Sequence, residues 1–248
     1  MDLTAVHAIA RSLGVVALSL VAGTVGVRML RLASRTRQLP ELAIGLHIVV
    51  LLAGYLTEFA GIQLGDTFAG HVVRGIGNLC YAVAIQVYLL FTWRVFRRRS
   101  RWALAVVTVG TAMLVTGWIG DVLATTVDLR ATRFALPWFW LAFLPRLVAM
   151  GWGAAEALRY HHRLALQLRI GLGEGVVANQ FLLWGLAAAA ELAIYAIVGV
   201  TILAGQPESF LTGTAALWIS AFGVAAAAAM WLTFLPPEPV RRWMSSGV

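Results

Sequence analysis

Seven apolar runs, each of about twenty residues or more, divide this chain of 248 residues, at positions 3–30, 41–63, 68–93, 102–127, 134–158, 176–203 and 210–234. A run of about 20 residues is what a helix needs to cross a hydrocarbon layer about 30 Å thick. In that layer only helices and closed barrels satisfy every backbone N–H and C=O, and runs this long and continuous are helical in length. Hydrophobic residues make up 60% and charged residues 12%, too few polar groups to clothe a water-soluble domain of this size. The spacing predicts an all-α polytopic membrane protein, a single seven-helix domain over residues 1–248.

Orientation follows from the basic residues. All nineteen are arginine, and fourteen of them flank or occupy the connections between runs one and two, three and four, and five and six, or lie in the tail. The positive-inside rule therefore predicts an N-terminus outside and a C-terminus in the cytoplasm. Arg97, Arg98, Arg99 and Arg101 directly follow an apolar run, where arginines meet anionic headgroups; membrane lipid is the expected partner and nucleic acid is not. The first run lacks the basic leader and short apolar core of a cleaved signal peptide, so it is expected to span. Pro145 is expected to kink the fifth helix, and Pro236 and Pro237 to end the seventh. Residues 159–175 form the longest expected connection, with His161 and His162 at its surface and Glu156 solvated just before it.

Ionisable groups inside apolar runs are costly and point to a partner or a cavity. The hairpin from His47 to Asn78 holds Glu58, Asp66, His71, Arg74 and Asn78. Counting from helix ends, Arg11, Glu58, His71, Arg74 and Asp121 fall in the outer part of the membrane, with Arg146 and Glu191 nearer its middle. Three intramembrane arginines (Arg11, Arg74, Arg146) thus face three acids (Glu58, Asp121, Glu191). Steps of three or four place His47, Leu51, Gly54, Glu58 and Gly61 on one face of helix two. The same steps group His71, Arg74, Asn78 and Tyr81 on helix three, and Gln180, Trp184, Glu191 and Tyr195 on helix six. These stripes predict an outward-facing polar site, with Trp118, Trp138, Trp140 and Trp184 as candidate walls. The plainer reading is that the charges are static ties between helices and that Trp138 and Trp140 belong to the interfacial aromatic belt.

Cys80 is the only cysteine, and His7 and His71 share no metal-ligand spacing, so no metal or other cofactor is expected. Seven helices with an outer N-terminus are similar in layout to microbial rhodopsins, whose retinal sits on a lysine; the chain has no lysine, which excludes that chemistry. Glu58 with Glu191 or Asp121 among tryptophans is similar to the acid sites of membrane-bound terpene cyclases. That likeness implies a general acid, whereas neighbouring arginines favour ionised carboxylates. A transporter of a small anion or proton-coupled solute would use Arg146 beside Pro145, and Glu191, although no inverted repeat is visible. The segment FLPPEPVRRWM, Phe234 to Met244, resembles the exit from the last helix in poorly characterised seven-helix membrane modules of GC-rich bacteria, some of them sensory input domains. That resemblance implies a multi-pass protein of a bacterial inner (plasma) membrane, a sensor-like or ligand-binding module rather than an enzyme. Signalling would then pass to a separate cytoplasmic protein docked on the arginine-rich face.

Overall fold

In a computed structural model the backbone is described for residues 3–129, 133–170, 175–206 and 213–245, and side chains from Val16 onward except those of residues 243 and 245. Every regular element among these residues is helical. The helices are α1 (Leu3–Thr36), α2 (Leu39–Gln63), α3 (Phe68–Phe96), α4 (Arg101–Val127), α5 (Pro137–Arg169), α6 (Gly175–Leu203), α7 (Thr214–Phe234) and α8 (Glu238–Ser245), with a 3-10 turn at Arg133–Ala135. Seven of them are long and apolar enough to cross a membrane, the mark of a multi-pass membrane protein.

Two stretches differ from expectation. The connection expected over 159–175 is helix as far as Arg169. The sequence from Arg159 to Arg169 consists largely of Leu, Ala, Arg and Gln, all good helix formers, and the first breaker is Gly171. Beyond Pro236 and Pro237, the expected tail is the short helix α8, whose Glu238 and Arg242 pair at 3.4 Å one turn apart. Pro145 lies inside α5, which continues through it; the missing N–H leaves the Leu141 carbonyl without its helical donor.

The chain forms two compact units, residues 26–149 and residues 1–25 with 150–248, whose boundaries fall within α1 and α5. In the first, α2 and α3 make an antiparallel hairpin. Its turn needs Gly65, at φ +67°, and Thr67 caps α3 by accepting a hydrogen bond from the Gly70 N–H at 3.0 Å. The two helices approach at glycines: a Cβ on Gly77 would lie 2.8 Å from the backbone nitrogen of Glu58, and one on Gly61 2.8 Å from that of Arg74. Helix α4 joins α3 through Trp118, whose indole N–H donates to the Gly75 carbonyl at 2.9 Å. It receives α5 at Gly117, where a Cβ would be 2.5 Å from the Ala142 nitrogen. Ile85, Leu89 and Leu114 are fully buried between these helices.

In the second unit, α6 packs on α7 along small residues, with Ala187, Ala188, Ala226 and Ala227 all buried. Gln180 donates to the Thr233 carbonyl, and Asn179 to the carbonyl of Met244, each at 3.3 Å. Met244 is fully buried, so α8 is seated against α6.

Candidate functional site

Antiparallel packing carries the α2–α3 and α4–α5 connections to the same end of the unit formed by residues 26–149. Glu58 lies five residues before the end of α2, Asp121 six before the end of α4, and Arg133 in the 3-10 turn that leads to α5. There the Arg133 guanidinium donates from Nη1 to Glu58 Oε1 at 2.9 Å and from Nε to Asp121 Oδ1 at 3.0 Å. The other oxygen of Asp121 accepts from Asn78 Nδ2 at 3.4 Å. The side chains of Asp121, Arg133 and Glu58 are 6%, 19% and 25% exposed, so little water screens the bridge.

Burial is the largest single influence on Arg133 and works against its charge. The two facing carboxylates, through charge and hydrogen bonds, outweigh it and hold the guanidinium pKa above its ordinary value. A raised value stabilises the fold fully below the ordinary arginine range and is lost only above it, so Arg133 remains a cation at every working pH.

Beside this bridge, Arg74 closes the turn of its own hairpin. Its Nη2 donates to Asp66 Oδ1 and to the Gly65 carbonyl, both at 3.1 Å, its Nε donates to the Gly70 carbonyl at 3.3 Å, and buried His71 lies 3.4 Å away. Asp66 is 79% exposed, so the ion pair itself adds little, and the two carbonyl contacts give Arg74 its structural role. Deeper along α3, the Arg146 guanidinium sits 4.9 Å from the centre of the Tyr81 ring. Arg146 Nε and Asn78 Oδ1 are both buried and without a hydrogen-bond partner among the described residues.

Of the residues singled out from the sequence, Asn78 and Asp121 meet directly and Glu58 is joined to them through Arg133, Arg74 and His71 lie one and two turns before Asn78 on α3, and Arg146, on α5, sits against Tyr81 of α3. Glu191, Trp184 and Tyr195 lie on α6 in the other unit, each partly buried, with Trp184 edge-on to Phe234 at 5.5 Å. The Arg11 side chain falls outside the described residues. Trp118 and Trp138 fill helix contacts, Trp138 lying over Gly120, and Trp140 packs edge-on to Phe139 and Phe143.

Arg133 is the member that sequence reasoning missed. An arginine in a polar connection resembles any surface arginine. The available clue is its position four residues before Pro137, at the mouth of α5. Two further expectations are corrected in the second unit. Glu156 is buried rather than solvated, accepting from Trp152 Nε1 at 3.3 Å and from Arg159 at 3.5 Å. His161 is held by the Ala178 carbonyl at 2.8 Å instead of lying free at the surface, because α5 continues past it alongside α6. Among the described residues, no group of three His, Cys, Asp or Glu is placed to hold a metal ion. No protein-family model, curated protein or solved structure matches the chain.

Proposed function

We propose that this chain is an integral membrane module that binds a small ligand at the polar end of residues 26–149 and reports its presence, a sensor-like protein rather than an enzyme. The arginine distribution supports an outward orientation for that end in a bacterial inner membrane, with the opposite, arginine-rich face against anionic headgroups or a separate cytoplasmic protein. One observation carries the reading: a single guanidinium, supplied by a connection, latches carboxylates from two different helices. The cluster has one more carboxylate than guanidinium. A small cationic solute competing for Glu58 and Asp121 would release Arg133 and free the α4–α5 connection, giving two states that a ligand can bias.

Thermal unfolding of the protein in lipid nanodiscs, scanned against small amines and guanidines with halides and carboxylates as the opposing set, tests this. The cationic set should raise the unfolding temperature of the wild type, and Glu58→Gln with Asp121→Asn should abolish the shift. If no cation shifts the wild type or Arg133→Gln, the ligand-binding reading is lost. Arg146, next to Pro145 and without a carboxylate partner among the described residues of its unit, supports transport as the second reading. Chloride and proton flux into liposomes separates the two, since a receptor shows none, and flux abolished by Arg146→Gln or Glu191→Gln would establish the transporter.

A further inference from the structure

Beside the Arg133 bridge two polar atoms are left over, and they are of opposite kinds. Asn78, only 5% exposed, gives its amide N–H to Asp121, and its Oδ1 is buried without a partner among the described residues. Arg146 Nε, a donor, is buried and unpartnered in the same way. Both lie beside Tyr81: Arg146 sits 4.9 Å from its ring centre, and Asn78 precedes it by three residues, about 4.5 Å along the same face of α3. Turning the Asn78 amide over is no remedy, because its oxygen would then face the Asp121 carboxylate.

Charge is unbalanced over the same stretch. Glu58 and Asp121 share the single guanidinium of Arg133, which leaves one negative charge in excess. Arg146, nine residues or about 14 Å into α5, carries a positive charge with no carboxylate partner among the described residues of its unit. Each simple occupant repairs only part of this. Water would bridge the two orphan atoms and leave both charges as they are. Chloride would meet Arg146 but also the Asn78 oxygen, an acceptor facing an anion. An amine would satisfy Asn78 and the acids and leave Arg146 bare. Building on the ligand-binding reading above, we propose that the ligand of this end is a small zwitterion with a primary ammonium and a carboxylate. Its ammonium donates to Asp121 and to Asn78 Oδ1, and its carboxylate accepts from Arg146 Nε. Displacing Arg133 from Asp121 vacates the ammonium position, so the same latch admits it. A zwitterion also brings no net charge into a poorly solvated site, which a bare cation does.

Scintillation-proximity binding in lipid nanodiscs tests this with tritiated glycine, β-alanine and 4-aminobutyrate, which differ in the spacing of their charges. Methylamine, ethylamine and propylamine, the same molecules without the carboxylate, serve as competitors. At least one zwitterion should bind saturably, and about tenfold to a hundredfold more tightly than its amine, the range of one charge-assisted hydrogen bond. Arg146→Gln should remove that advantage and leave the affinity for the amine unchanged, with thermal unfolding confirming that the variant folds. The N,N,N-trimethyl form of the same zwitterion should compete about tenfold more weakly, since it has no N–H for Asn78. Amine binding with no zwitterion tighter than its amine, an Arg146→Gln variant that keeps the preference, or a trimethyl form that competes as well as its parent would each overturn the zwitterion and leave the cation site standing. Binding of neither class to the wild type or to Arg133→Gln would remove both.

Discussion

Arg133 determines how the polar end behaves, because removing it leaves Glu58 and Asp121 close together with no cation between them. Arg133→Gln should destabilise the protein by about 1–3 kcal/mol, as loss of one partner in a largely buried bridge does. Adding Glu58→Gln and Asp121→Asn should recover most of that loss, because neutral partners need no counter-charge. Unfolding temperatures in detergent provide the measurement, and an unchanged value for Arg133→Gln would show that the bridge holds nothing. At this scale the sequence exposes some roles and hides others. Glu58 and Asp121 stand out as charges in apolar runs, where any ionised group needs a reason. Arg133, Glu156 and His161 sit among polar neighbours, and their burial depends on which helix arrives beside them, information that no local window contains.

The α2–α3 hairpin is the element whose packing was most legible. Spacing placed His47, Gly54, Glu58 and Gly61 on one face of α2, and that face meets α3: His47 bonds the Ala84 carbonyl at 2.8 Å, and Gly54 and Gly61 admit its backbone. Gly77→Ala puts a methyl 2.8 Å from a backbone nitrogen that cannot yield as a side chain can, and should cost about 1–3 kcal/mol in thermal unfolding. Gly65→Ala has open space around it but a left-handed backbone, and should cost about 1 kcal/mol without parting the helices. The reverse order, with Gly65→Ala the more damaging, would mean that the turn and not the glycine contact sets the hairpin. The length of α5 was less legible. Clustered arginines and histidines after residue 158 suggest a membrane exit, yet a helix leaving the membrane goes on until its sequence breaks it.

For the whole molecule, the count of seven spanning helices was legible because each run satisfies a length requirement by itself, whereas the grouping of residues 26–149 into one unit depends on contacts distant in sequence. The proposed outward orientation makes a direct prediction in intact cells, with Cys80→Ala as background. Asp66→Cys should react with a membrane-impermeant maleimide from outside, and Ser100→Cys only in inverted vesicles; the opposite pattern would place the polar end in the cytoplasm. Trp118 links the α3–α4 groove to the polar end. Its ring lines the α3–α4 groove while its N–H holds the carbonyl of Gly75, the residue after Arg74. If the polar end binds a solute as proposed, whatever packs against that ring would bear on the backbone that carries Arg74, and the solute would change, by the same energy, how well the groove receives it. The dose–response curve of a receptor built in this way would then depend on what the surrounding membrane presses against the groove, a second input beside the solute.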